Sequence, residues 1–333
     1  MLLRDSPSVS KRRSTFNKDR ERRMAANNDA TEVAFDRSIE EWEPFEVTKA
    51  RAESVLREAK QILDRLGVVF FIEQGTLLGA IRHGGFIPWD DDLDLGSVIG
   101  LHGLTEKSVD RVVAAFRDNG FLVKVWRKEQ RIYVPMVKSS VRIDWNCFRI
   151  IEDSTFHYPG VRIPVRVFTD LKEIDFMGEK FRAPNPPEEY LRFKYGEEWR
   201  VPKKTGFEKD VVDLIPQGPA PGRAGRLKQF LTKHLLPGRT SRLRVLDLEG
   251  KPISGAEVVV AGVGRSRTNR QGYAKLYIPY YDFYALVVRF ANHEEVLYEE
   301  RMSPGETYVY RQDPQLTSGR YLILSPESHP QGH

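Results

Sequence analysis

The sequence predicts an α/β (α+β) head followed by a small all-β sandwich, and three observations carry that prediction. Residues 41–205 combine helix-period apolar stripes with short runs rich in Val, Ile and aromatics. Residues 243–312 hold only short alternating runs separated by turn signals. Residues 206–242 between them are punctuated by Pro and Gly, as in Gln217-Gly-Pro-Ala-Pro-Gly-Arg-Ala-Gly. A chain of 333 residues, 40% of them hydrophobic, has room for two cores and their connections.

Charge is unevenly placed. Residues 1–23 hold eight Lys/Arg against three acids, and residues 214–246 hold seven Lys/Arg and no acid. The net charge is +5, so the remainder of the chain is net negative. That excludes a broad nucleic-acid face on the folded parts. Cys147 is the only cysteine, so there is no internal disulfide and no cysteine-built zinc site. No stretch reaches the roughly 18–20 apolar residues of a membrane span. No apolar core follows the N-terminal charges, so a secretory signal is not expected.

In chain order, residues 1–40 are polar and basic and read as a disordered tail. Glu46 to Leu66 reads as an amphipathic helix with Ala52, Val55, Leu56, Ala59, Leu63 and Leu66 on one stripe and Gly67 as its stop. Val68 to Ile72 reads as a buried strand. Thr76 to His83 reads as a short helix capped by Thr76 and ended by Gly84-Gly85.

Pro88-Trp89 then leads into four carboxylates, Asp90, Asp91, Asp92 and Asp94. Carboxylates this close repel one another unless a cation lies among them. In a strand, Asp90, Asp92 and Asp94 share one face, while Asp91, Leu93 and Leu95 face the other way. Such a face suits a hard, oxygen-seeking divalent ion. The helix N-terminus at Gly75 and Thr76 offers backbone N–H groups to a phosphate. Phosphate beside a carboxylate-held Mg²⁺ is the minimum equipment for phosphoryl transfer.

Ser108 to Asn119 reads as a second helix, with Val109, Val112, Val113 and Phe116 inward. Phe121–Trp126, Ile132–Val137 and Val141–Ile150 read as strands. Asp144 is the only carboxylate in the last of these and is costly there unless paired or bound to metal; alternation puts Arg142 on its face. Residues 152–205 read as irregular, apart from a helix from Pro187 to Gly196. Its aromatics Tyr190, Phe193 and Tyr195 suit either core or base stacking, and Arg192, Lys194 and Arg200 suit a phosphate.

The order G-T-L-L-G-A-x-R-H-G-x-x-I-P-W-D-x-D-x-D, running from Gly75 to Asp94, resembles the LicD family of phosphocholine and fukutin-related ribitol-phosphate transferases. The stretch from Pro184 to Pro202 resembles a Y-L-x-x-x-Y-G-x-x-W segment of the same family, so the likeness runs from about Leu56 to Pro202. It implies a nucleotidyltransferase-like fold in 41–205, in which a Gly-Thr turn precedes an Asp-x-Asp hairpin and a third carboxylate comes from the neighbouring strand. The implied site has Asp90, Asp92, Asp94 and Asp144 as catalytic residues. Asp92, Asp94 and Asp144 hold Mg²⁺ or Mn²⁺, and Gly75, Thr76, Arg82 and His83 lie against substrate. Asp91 falls where the family varies. The implied reaction moves phosphocholine, ribitol phosphate or a similar group from a CDP-activated alcohol donor to a hydroxyl of a glycan or lipid-linked glycan, releasing CMP. The acceptor would resemble teichoic acid or lipopolysaccharide.

The alternatives are transfer of a nucleotide from CTP or ATP to a small molecule or protein, and an inactive head whose working surface is the sandwich. The residues themselves do not decide which phosphorus is attacked. Lipid-linked acceptors in the family imply a cytoplasmic protein at the inner face of the membrane. The basic segment 223–239, with a short helix over Leu227–Leu236, suits contact with an anionic surface.

In 243–312 the strands expected are Arg244–Leu248, Ala256–Val260, Ala274–Ile278, Tyr284–Phe290, Glu295–Tyr298 and Thr307–Arg311. The pattern V-x-D-x-x-G-K-P-I-S-G-A-x-V-x-V from Val245, followed by T-N-x-x-G-Y-A, resembles carboxypeptidase-regulatory or transthyretin-like sandwiches. Residues 313–333 read as a tail with one added strand at Tyr321–Leu324.

Overall fold

The computed structural model describes residues 45–215, 240–313 and 322–327. The basic tail 1–40, the helix and membrane segment expected within 223–239, and Tyr321 lie outside the described residues. The described chain forms two compact units, one of residues up to 153 with 165–187, the other of 154–164 with 188 onward.

The first unit opens with helix α1 (Phe45–Arg65), whose expected stripe Ala52, Val55, Leu56, Ala59 and Leu63 is buried. Ile62 joins it, and Gly67 turns the chain in the left-handed region at φ 68°. Strand β1 is only Phe71–Ile72, because its pairing with β2 (Asp92–Val98) is limited to Phe71 with Gly96 and Ile72 with Leu95. The Phe71 ring lies so close over Gly96 that a Cβ there would fall 2.2 Å from a ring carbon.

Helix α2 (Gln74–His83) lies between them. It starts two residues before the expected Thr76, which is therefore not its cap. Glu73 is the cap residue and makes no side-chain capping bond, while the Thr76 hydroxyl is taken by the backbone N–H of Asp94 at 2.8 Å. Helix α3 (Glu106–Asp118) is capped reciprocally by Thr105 and Ser108 and buries Val109, Val112, Val113 and Phe116.

Strands β3 (Leu122–Val123), β4 (Trp126–Arg127), β5 (Arg131–Lys138) and β6 (Val141–Phe148) complete a sheet ordered β1-β2-β6-β5-β3, with β4 also on β5. The single strand expected over Phe121–Trp126 is broken at Lys124-Val125. Only the β2–β6 pair is parallel, and it sets Asp92 beside Arg142 and Asp94 beside Asp144. Leu93, Leu95, Ile143 and Trp145 alternate with these and are fully buried on the opposite face. Burying them at about 25 cal/mol per Å² of apolar surface is what fixes which face the carboxylates occupy.

Residues 152–205 are more regular than expected. They contain β7 (Ser154–His157) paired with β8 (Val161–Pro164), a 3-10 turn at Val165–Phe168, and β9 (Lys172–Phe176) paired with β10 (Glu179–Ala183). The β9–β10 loop is Met177-Gly178, both at positive φ, which suits the right-handed twist of a hairpin. Its strands are charged on their outer face, so their sequence lacks the apolar signal of a strand.

In the second unit, helix α4 (Pro187–Tyr195) forms as expected and Gly196 ends it at φ 84°. Helix α5 (Phe207–Asp213) forms inside the stretch read as linker. Eight strands follow, β11 (Thr240–Leu246), β12 (Glu257–Val260), β13 (Gly264–Arg267), β14 (Tyr273–Tyr277), β15 (Asp282–Phe290), β16 (His293–Met302), β17 (Thr307–Arg311) and β18 (Ser325–Pro326). They make two four-stranded sheets, β14-β11-β17-β18 and β13-β12-β15-β16. Leu243, Val245 and Tyr310 of one sheet share a buried cluster with Val258, Leu286 and Leu297 of the other. Strand β13 reads Gly-Arg-Ser-Arg and offers no apolar residue to betray it. The last strand falls at Ser325–Pro326, just past the expected one.

Candidate active site

The site is built on the polar face of the parallel β2–β6 pair, with the first turn of α2 laid against it. Asp94, 6% exposed, is held from two directions. The Gln74 side-chain amide donates to its Oδ1 at 2.9 Å and the Gly75 backbone N–H to its Oδ2 at 2.9 Å. The anion at the N-terminus of α2 is therefore the chain's own carboxylate. This corrects the expectation that the Gly75 N–H is free for a phosphate: β1 and β2 are paired neighbours, so the turn into α2 brings that N–H directly onto Asp94.

Gly75 has a second constraint. A Cβ there would lie 2.4 Å from Asp90 Oδ2 and 3.3 Å from Asp94 Oδ2. Glycine is what lets the Asp90 carboxylate close over the helix start.

Asp90, Asp91 and Asp92 are half-buried, and each places one carboxylate oxygen within 4.8 Å of the others. Asp91 was expected to face away, but period-two alternation begins only where β2 does, at Asp92. No side chain donates a hydrogen bond to Asp90 or Asp91 among the described residues. Burial, reinforced by the Asp91 charge, raises the Asp90 carboxyl to about 7; the Asp91 backbone N–H and the Arg82 charge oppose the rise. Asp91 is raised by burial against the pull of Arg142. Asp92 is pushed well above the usual carboxylate range by burial and then by Asp94.

Asp144 is buried at 7% exposure, because β6 lies inside the sheet between β2 and β5. It is gripped by Arg142, whose Nε donates to Oδ1 at 2.9 Å and Nη2 to Oδ2 at 2.6 Å. The Tyr133 hydroxyl donates to the same Oδ2 at 2.7 Å and accepts from Arg142 Nη2 at 2.9 Å. Arg142 Nη2 lies 4.0 Å from Asp92 Oδ2.

At the far end of α2, His83 is exposed, its ring edge-on to Trp89 at 6.3 Å. Its pKa is lowered by burial of part of the ring and by Arg82. Of the α4 aromatics, Tyr190 is fully buried core, while Phe193 and Tyr195 are half-buried. The cations beside them are engaged. Lys194 is buried and donates to the Tyr158 carbonyl, Arg192 pairs with Glu197, and Arg200 lies over the Trp199 ring.

The structure therefore brings together Gly75, Thr76, Asp90, Asp92, Asp94 and Asp144, with the Arg82 charge felt at Asp90. Gln74, Tyr133, Arg142 and Asp91 share the site beyond the residues the sequence pattern implies. The alternation that placed Arg142 beside Asp144 was the one signal for it in the sequence; Tyr133 reaches across from β5 and left none.

A glycine-led helix start, a buried Asp-x-Asp strand and a parallel neighbour carrying a third carboxylate define an α/β domain with a carboxylate-centred site. Residues 67–186 match the domain described as LicD/FKTN/FKRP, nucleotidyltransferase domain, and the chain thus carries a LicD-family domain. Human ribitol 5-phosphate transferase FKRP is 30% identical over 168 residues, 47% of this chain and 33% of that protein. Human ribitol-5-phosphate transferase FKTN is 28% identical over 180 residues, 50% of this chain and 37% of that protein. The lipopolysaccharide cholinephosphotransferase LicD of Haemophilus influenzae is 53% identical over 34 residues, 10% of this chain and 13% of that protein. The chain thus spans about a third of the length of the two human relatives.

Proposed function

We propose that the chain is a phosphotransferase that moves a substituted phosphate, such as ribitol phosphate or phosphocholine, from a CDP-linked donor to a glycan hydroxyl. The observation that carries this reading is the cluster of Asp90, Asp91 and Asp92, three half-buried carboxylates with oxygens within 4.8 Å of one another, of which Asp92 has Arg142 no nearer than 4.0 Å. Left alone such a cluster repels itself; a hard divalent cation removes the repulsion. The donor set, all carboxylate oxygen, fits Mg²⁺ or Mn²⁺. Asp92 belongs both to this cluster and to the Asp92, Asp94 and Asp144 set read from the family pattern, so the metal reading rests first on Asp92. The ion, when bound, neutralises charge on the donor phosphates.

The chain's own groups supply the rest. Gly75 leaves room for Asp90 to approach the site. Asp94, fixed by Gln74 and the Gly75 N–H, holds the helix start and β2 in one geometry. Asp90, which Gly75 lets close over the helix start, is the group suited to take the acceptor hydroxyl's proton. Arg82 faces the same carboxylate and suits a donor phosphate.

The two-sheet second unit is proposed to be a carboxypeptidase-regulatory-like sandwich, and 223–239 to touch an anionic membrane at its cytoplasmic face. Phosphorus NMR and mass spectrometry of reactions with CDP-choline, CDP-ribitol or CDP-glycerol test the chemistry. CMP release with gain of a phospho-alcohol by a glycan acceptor supports the reading. Gain of a nucleotide by the acceptor from CTP or ATP overturns it.

A further inference from the structure

We propose that Arg142 binds the anionic diphosphate of the donor, and that Asp144 with Tyr133 positions Arg142 instead of holding the metal. This rests on the phosphotransferase reading above. Both oxygens of Asp144 are taken by one guanidinium in a two-pronged pair, at 2.9 and 2.6 Å. The Tyr133 hydroxyl closes the triangle, donating to Asp144 and accepting from Arg142. A divalent cation on Asp144 would have to displace that guanidinium or sit against its charge.

Asp90 and Asp91 have no such partner, and Asp92 sees Arg142 only at 4.0 Å. The carboxylates on this face therefore divide by task. One is neutralised by a fixed cation, and the cluster of three is left for a mobile one.

Arg142 is not consumed by this arrangement. Its side chain is 30% exposed while that of Asp144 is 10% exposed. Nε and Nη2 make all its hydrogen bonds among the described residues, leaving Nη1 without an acceptor. A guanidinium locked along one edge and open along the other is preorganised for phosphate oxygens. In-register pairing of Arg142 with Asp92 places it next to the carboxylate on which the metal reading rests. A donor diphosphate held by Arg142 would lie beside the carboxylates that would hold the metal.

The test uses the full chain and four variants, Arg142→Gln, Arg142→Lys, Asp144→Asn and Tyr133→Phe. Mn²⁺ is titrated alone by electron paramagnetic resonance. CDP and cytidine are then titrated by calorimetry with Mg²⁺ saturating. Arg142→Gln is expected to weaken CDP by about ten- to a hundredfold, the loss of a charge-assisted contact, and leave cytidine unchanged. Asp144→Asn and Tyr133→Phe are expected to weaken CDP less and leave Mn²⁺ affinity unchanged; Arg142→Lys is expected to restore part of the loss. Tyr133→Phe removes one hydroxyl only and carries the test should the buried-charge variants fail to fold. Loss of Mn²⁺ binding in Asp144→Asn, or equal weakening of CDP and cytidine in Arg142→Gln, overturns the inference and leaves the transferase reading standing. A wild type that binds neither Mn²⁺ nor CDP overturns both.

Discussion

Both units hold buried carboxylates with their donors in place, but among the described residues only the first adds a half-buried cluster that lacks them. In the second unit, Glu300 is 1% exposed and accepts the backbone N–H groups of Ile323 at 3.0 Å and Leu324 at 2.9 Å. Glu295, equally buried, accepts from the Tyr310 hydroxyl, which also meets His293. In the first unit, Asp90, Asp91 and Asp92 crowd together with no donor side chain on the first two. A buried carboxylate with its donors in place is a structural fastening; a cluster without them needs something from outside the chain. The difference separates a unit that stands by its own bonds from one that is prepared for a ligand.

The sharpest way to break that contrast is to remove one charge from each unit. Asp92→Asn is expected to lower turnover by about a thousandfold, the scale of losing one preorganised electrostatic group, without lowering Tm. Comparing steady-state rates with thermal melts of the same samples decides it, and a fall in Tm with rates intact would erase the contrast. Gly75→Ala places a methyl against Asp90 and is expected to cost about a hundredfold in rate, as small displacements of a reacting group do. Circular dichroism should show the fold intact, because the group that must move is the end of a side chain.

In the second unit, Glu300→Gln keeps the shape of the side chain but loses its charge and one acceptor oxygen. It is expected to cost about 1–3 kcal/mol in stability, read by denaturant unfolding, with no change in rate. The smallest effect expected is the pH dependence. Asp90 has a folded-state pKa of about 7, above the roughly 3.9 of an unfolded Asp, so the folded state holds its proton more tightly. Its contribution to the metal-free protein is then fully present below about pH 4 and lost as pH rises through about 7. Melting curves across that range should show the decline, and saturating Mg²⁺ should remove it.

The site was legible in the sequence where chemistry and spacing coincide. Four aspartates beside a Gly-Thr turn point to a charged cleft whatever the surrounding fold, and the lone Asp144 in an apolar run points to a buried partner. Facts that depend on register were not legible. Asp91 lies with Asp90 and Asp92 because β2 begins two residues later than alternation from Asp90 assumes. The Gly75 N–H is taken because β1 pairs with β2. Tyr133 reaches Asp144 from β5, eleven residues away, through a pairing no local pattern encodes. The same holds for the fold. Helices α1 and α3 follow from their stripes, while the β9–β10 hairpin and strand β13 hide behind charged residues.

The most direct test of the central claim is a calorimetric titration of CDP-ribitol and CDP-choline, with and without Mg²⁺, on wild type and on the Asp92→Asn/Asp94→Asn double variant. A metal-dependent transferase of this kind is expected to bind a CDP-alcohol only with the metal present, and to lose that binding in the double variant. Binding that is indifferent to both the metal and the two aspartates would contradict the claim.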